Sequence, residues 1–167
     1  PAPYWVSYVD QVKMAGGNPV IVEAKQENNF KVTVEQLEEA RTSKSKILLL
    51  NSPSNPTGMI YSKEELTAIG EWALAHDLLI LADDIYHRLV YNGAEFTAIS
   101  SLSDEIRKRT TVINGVSKTF AMTGWRIGLA VGDPEIISAM TKIASQTTSN
   151  PTAVAQYAAI EAFEERD

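Results

Sequence analysis

The chain has no cysteine, only two histidines (His76 and His87), no excess of basic charge and no long hydrophobic run. Without cysteine there can be no disulfide scaffold, no thiolate metal site and no thiol nucleophile. Two histidines are too few for a multi-histidine metal centre. The longest apolar stretches, such as Ile47–Leu50 and Leu78–Ala82, fall far short of the ~20 residues that a membrane helix needs. Fifteen Lys and Arg against 21 Asp and Glu leave a formal net charge of -6, which is the wrong sign for a nucleic-acid footprint. What is present is ordinary for a folded domain: 167 residues, 44% hydrophobic and 22% charged, enough to bury a core and unlike a disordered chain. The first residue is Pro1 and no signal peptide precedes it, so the expectation is a chain that starts after processing or within something longer.

Strand-like and helix-like stretches alternate along the sequence. Val20–Ala24 is short and β-branched and reads as a strand. Thr33 and Gln36 form a capping-box pattern, in which a hydroxyl and an amide exchange hydrogen bonds with the first backbone N–H groups, and they predict a helix to about Ser43. The apolar Ile47–Leu50 reads as a strand buried on both faces, followed by a turn-rich segment, Asn51–Gly58, with two prolines and a glycine. A second capping box, Ser62 with Glu65, opens a helix with Leu66, Ile69, Ala73 and Leu74 on one side that ends near Asp77. Leu78–Ala82, Thr111–Asn114 and Leu129–Gly132 read as further strands, and Ser103–Arg109 as helical. Asp133-Pro134 opens another helix with proline at its first position. A polar run, Ser145–Asn150, then leads to a last helix from Pro151 to Asp167. No repeat, low-complexity run or linker interrupts this order. The expected fold is α/β: a three-layer α/β/α arrangement around a mostly parallel sheet.

In such sheets ligands bind off the carboxyl ends of the strands, where Asn55, Asp83 and Lys118 fall. Taken singly, each has a plain structural explanation. Asp83 could cap a turn, Tyr86 could pack, Lys118 could be a solvated surface lysine and Arg126 a surface ion pair. Together they match the needs of one cofactor, pyridoxal phosphate. Its aldehyde needs an amine for a Schiff base, and its pyridine nitrogen needs a carboxylate to remain protonated as an electron sink. Its phenolic oxygen needs hydrogen-bond donors, and its phosphate needs a guanidinium and backbone N–H groups.

Asn55-Pro-Thr-Gly58, Asp83-Asp-Ile-Tyr86 and Ser117-Lys-Thr-Phe-Ala-Met-Thr-Gly-Trp-Arg-Ile-Gly128 resemble the successive motifs of the fold-type I, class I/II aminotransferases, with the bacterial aspartate aminotransferase branch most similar. The likeness runs from Pro3-Tyr-Trp5 to Ser149-Asn-Pro151. It implies that Lys118 is the catalytic amine, forming the Schiff base and shuttling a proton between the substrate α-carbon and the cofactor. It implies that Asp83 pairs with the pyridinium, and that Asp84 stands where a glutamate is common and does not take that role. Tyr86 and Asn55 would hydrogen-bond the phenolic oxygen, and Arg126 would bind the phosphate with a bidentate fork that lysine lacks. Ser117 would add a hydroxyl to the phosphate, although some relatives carry that hydroxyl at the position of Gly115. Trp5 would line the substrate side of the cofactor, and Pro3 and Pro56 occupy positions that are cis in relatives.

Enzymes of this kind are more than twice as long. The resemblance therefore implies that residues 1–167 are the central part of the cofactor-binding large domain. A phosphate-cradling loop would precede Pro1, and a small domain with the carboxylate-clamping arginine would follow Asp167. The isolated segment is then expected to be inactive or nearly so. For the parent protein the resemblance implies amino transfer from an L-amino acid, aspartate, to a 2-oxo acid, 2-oxoglutarate. It also implies a cytoplasmic homodimer with no nucleic-acid or membrane partner, in which Gln146–Asn150 contributes to the subunit contact. Other readings remain open: an aromatic or alanine aminotransferase or a carbon–sulfur lyase using the same Lys118 and Asp83, or a non-catalytic fragment that kept the fold. A nucleotide-binding module is disfavoured, because no glycine-rich phosphate loop follows a strand.

Overall fold

A computed structural model describes residues 1–164 of the chain. Four strands, β1 (Ile47–Asn51), β2 (Leu79–Asp83), β3 (Thr110–Gly115) and β4 (Gly128–Val131), form one sheet in the order β1-β2-β3-β4. The first three are parallel and β4 runs antiparallel to β3, so the sheet is mostly parallel as expected. Six helices accompany it: α1 (Ser7–Met14), α2 (Val34–Ala40), α3 (Lys63–Ala75), α4 (Asp104–Arg109), α5 (Pro134–Thr147) and α6 (Ala153–Glu164).

Strand alternation sorts the core. Leu48, Leu50, Ile80 and Ala82 turn to one face and pack with Leu37 of α2, Leu66, Ile69 and Ala73 of α3, and Ile106 of α4. Leu49 and Leu81 turn to the other face, where they line a groove together with Val9 and Val12 of α1. The helical layers thus lie on both sides of the strands. Both capping boxes form: Gln36 N–H donates to the Thr33 hydroxyl and Glu65 N–H to that of Ser62, with the reciprocal bonds at 3.0 and 2.7 Å. Leu66 is only 1% exposed. Replacing it with alanine removes three heavy atoms from a packed interior and is expected to cost about 2–5 kcal/mol, measured as a lower urea midpoint with an unchanged slope.

Several boundaries differ from the sequence reading for identifiable reasons. Val20–Ala24 is not a strand. It makes one parallel bridge, Ala2 with Glu23, through Ala2 N–H to Val22 O and Ala24 N–H to Ala2 O, each 2.8 Å. A β-branched run becomes a strand only where a neighbour continues the ladder. The α2 helix stops at Ala40 rather than Ser43, because the Ser45 hydroxyl accepts from Thr42 N–H and starts a competing turn. Thr147 still belongs to α5, so the polar run from Ser145 is helical at first. The last helix begins at Ala153, and the expected end of it, Glu165–Asp167, lies outside the described residues. The α1 helix was not anticipated at all. The Ala2–Pro3, Ser52–Pro53 and Asn55–Pro56 peptide bonds are cis.

Candidate active site

Parallel pairing brings the ends of β1 and β2 side by side, with Asn51 opposite Asp83. Asn51 is buried and joins the two strand ends: its Nδ2 donates to the Asp83 carbonyl at 2.8 Å, and its Oδ1 accepts from Asn55 N–H at 2.7 Å. The segment after β1 is thereby anchored to β2. In that segment Gly58 adopts φ 72°, a left-handed turn that glycine enters without strain, and its N–H returns to Ser54 O at 2.8 Å.

The Asp83 side chain is held from two directions. Ile85 N–H donates to Oδ1 at 3.2 Å, and the phenol of Tyr8 donates to Oδ2 at 2.5 Å. Burial, then the hydrogen bond and charge of Asp83, push the Tyr8 pKa far up, so the phenol stays a proton donor. Tyr8 packs edge-on against the Trp5 ring, with centroids 5.4 Å apart. Trp5 itself is 42% exposed, so it is an open face beside Asp83 rather than a core residue.

Tyr86, the residue after Ile85, stands near two others that the sequence singles out, Asn55 and Lys118. Asn55 Nδ2 lies 3.4 Å from the Tyr86 hydroxyl, a long contact. Lys118 Nζ stands 5.9 Å from the centre of the Tyr86 ring, within reach of the attraction between a cation and an aromatic face. Lys118 is exposed and sits in the turn after β3, where Phe120 N–H returns to Val116 O and Ala121 N–H to Lys118 O, both 3.2 Å. Fully buried Val116 anchors this turn against Ile127 and against Ala155 and Ala159 of α6, and Phe120 stacks edge-on with Phe163. The chemistry of Lys118 is thus carried on a turn pinned from below.

Ser117 and Arg126 are not drawn into this cluster by any hydrogen bond among the described residues. Ser117 is half-buried, and exposed Arg126 has φ 56° with its Nη1 on Thr123 O at 3.1 Å. The position where relatives can carry a phosphate hydroxyl, Gly115, has no room for one. A Cβ there would lie 2.6 Å from the Ile127 carbonyl oxygen, because β3 and β4 approach closely at Gly115 and Gly128. Sequence reasoning missed Tyr8 and Asn51. The only hint of Tyr8 was an aromatic residue one helical turn after Trp5.

Asp84 behaves unlike its neighbour. It is 5% exposed, and burial, then the adjacent Asp83 charge, push its pKa from 3.8 up to about 7. Its folded-state pKa is raised, so the stability it contributes is complete below about pH 4 and is lost as the pH rises through about 7. The Asp84→Asn variant stays neutral throughout. Its stability relative to the unsubstituted protein is expected to climb by a few kcal/mol between pH 4 and pH 7 and then level off, measured by urea denaturation at a series of pH values.

The donor set fits pyridoxal phosphate. Asp83 has two oriented carboxylate oxygens, each with one of its two acceptor sites taken. Asn55 and Tyr86 offer an amide and a phenol side by side, and Lys118 offers an accessible amine. Next to Lys118, the Thr119 hydroxyl is buried without a hydrogen-bond partner, the kind of orphaned group that a bound molecule satisfies. Residues 1–167 match the family described as aminotransferase class I and II. The chain is 70% identical to an asparagine–oxo-acid transaminase of Streptococcus mutans and 56% identical to an aspartate aminotransferase of Bacillus subtilis. Each match covers 98% of this chain and 42% of the relative, so the chain spans about two fifths of their length. Among solved structures, an aspartate aminotransferase from Thermus thermophilus with maleate superposes with a TM-score of 0.91 at 43% identity, covering 96% of this chain and 41% of that one. An aromatic aminotransferase from Pyrococcus horikoshii superposes with a TM-score of 0.96 at 38% identity, covering 99% and 44%. With its strand-end carboxylate, amide, phenol and amine in the order of the motifs, the chain belongs to the class I and II aminotransferases, enzymes that work with pyridoxal phosphate.

Proposed function

We propose that this chain is the central part of the large domain of a pyridoxal-phosphate-dependent transaminase. It would move the amino group of aspartate, or of its amide asparagine, to a 2-oxo acid such as 2-oxoglutarate. The observation that carries the reading is that Asn55 and Lys118 both stand beside Tyr86, with Asp83 three residues earlier at the carboxyl end of β2. The substrate class is supported by relatives named for aspartate and for asparagine and by a neighbour solved with maleate, a four-carbon dicarboxylate.

Bound here, the cofactor supplies an electron-withdrawing ring that makes the substrate α-proton removable. The chain's own residues do the rest. Lys118 Nζ would hold the cofactor's aldehyde carbon and would carry the substrate's α-proton. Asp83 would keep the ring nitrogen protonated, Asn55 and Tyr86 would hold the phenolic oxygen, and Arg126 and Ser117 would hold the phosphate. Trp5 would line the substrate side. The reading brings with it flanking segments in a longer chain, a homodimer to which Gln146–Asn150 contributes, and a cytoplasmic location. Among the described residues no helix is long and apolar enough to cross a membrane.

The test is a visible absorbance band in the complete enzyme with pyridoxal phosphate, abolished by borohydride, together with transamination assays on aspartate and asparagine. Absence of the band overturns the cofactor assignment. A band with turnover only on aromatic amino acids or alanine overturns the substrate assignment alone.

A further inference from the structure

We propose that Tyr8 is a positioning residue that acts through Asp83, its phenol setting the orientation in which the carboxylate meets a protonated ring nitrogen. This rests on the cofactor reading above.

The geometry constrains Asp83 at three points. Its backbone carbonyl is held by Asn51 Nδ2, its Oδ1 by Ile85 N–H and its Oδ2 by the Tyr8 phenol. The first two are contacts within adjoining strand ends and the following turn. Of these two only the Ile85 bond touches the carboxylate, and a single 3.2 Å contact on Oδ1 leaves Oδ2 able to swing about the last torsion, a broad and soft coordinate. Only the Tyr8 bond, 75 residues away in sequence and 2.5 Å long, fixes that torsion from outside the strand. A carboxylate oxygen has two in-plane acceptor sites. With one site on each oxygen taken by a protein donor, one site on each remains, in a fixed plane, for an incoming N–H donor. Loss of the phenol leaves the Ile85 N–H as the remaining hold on the carboxylate, so its plane swings more widely and is less often aligned for the ring nitrogen.

Tyr8 can serve as a fixed donor because burial and the Asp83 charge keep its phenol protonated. The ring is itself oriented, in the first turn of α1 and edge-on at 5.4 Å to Trp5, which precedes that helix. The Trp5–Tyr8 pair therefore links the residue that would line the substrate side to the carboxylate that would meet the ring nitrogen. A merely packing role would need the ring but not the hydroxyl.

The Tyr8→Phe variant separates the two, since it keeps the ring and its contact with Trp5 and removes only the O–H. In the complete enzyme, affinity is measured for pyridoxal phosphate and for its analogue with C–H in place of the ring nitrogen. The expected result is about a tenfold loss for pyridoxal phosphate, the scale of a hydrogen bond to a charged group, with the analogue's affinity unchanged. In an Asp83→Ala background the same tyrosine change is expected to have no effect on either molecule, because the pair acts as one unit. Equal losses for both molecules, no loss for either, or a tenfold loss that persists without Asp83 would each overturn the role of Tyr8 while leaving the cofactor reading intact. Failure of the unsubstituted enzyme to bind pyridoxal phosphate would overturn both.

Discussion

Replacing Lys118 with alanine is expected to remove the visible cofactor band and to lower kcat by at least about 10⁴-fold, the upper range for a positioned proton-transfer group. The amine has two tasks, covalent anchoring and proton transfer, and no second lysine in the described structure stands over the Tyr86 ring. The side chain is exposed and its turn is anchored through Val116 rather than through the lysine, so the fold is expected to survive. Circular dichroism and the urea midpoint of the variant check that. Mass spectrometry of the borohydride-reduced, unsubstituted protein then locates the adduct. A pyridoxyl group on any residue other than Lys118 would refute the assignment.

The second large effect is expected at Asp83. Removing a preoriented charge partner from a reacting system costs on the order of 10²–10³-fold in rate, and Asp83→Ala is expected to fall in that range or beyond. The visible band should persist, because the anchoring amine is untouched. The loss should appear in kcat, with a primary isotope effect on the α-deuterated substrate larger than in the unsubstituted enzyme as proton removal becomes limiting. A drop of less than about tenfold would mean that the carboxylate does not serve the ring nitrogen. Asp84→Ala is the natural control. Its carboxyl is buried and neutral up to about pH 7, so its loss should alter stability and its pH dependence far more than it alters rate.

These residues could be found in the sequence because their chemistry is carried by contiguous motifs. Asp83 and Tyr86 lie in one turn, Lys118 and Arg126 in one loop, and Asn55 in a proline-rich turn that can hardly be anything else. The two capping boxes were equally local, a hydroxyl and a carboxamide or carboxylate three residues apart. Each depended on side chains close enough in sequence to meet whatever the rest of the chain does.

What escaped the sequence depended on distance. Tyr8 reaches Asp83 across 75 residues and Asn51 reaches it across 32, and no periodicity in α1 or β1 announces either bond. Val20–Ala24 has the residues of a strand and lacks the neighbour that would make it one. Gly115 looked like a substitution at a phosphate position, yet the Ile127 carbonyl leaves no space for a side chain there.

The sequence by itself determined the α/β alternation, the capped starts of α2 and α3 and the motifs that carry the family resemblance, because hydrophobic period, capping and motif chemistry are all local. The tertiary structure alone decided how the Asp83 carboxylate is oriented, how deeply Asp84 is buried, and which glycine has no room for a side chain. Those outcomes depend on what the parallel register and the packing of α1 and β4 bring within a few ångströms of each other.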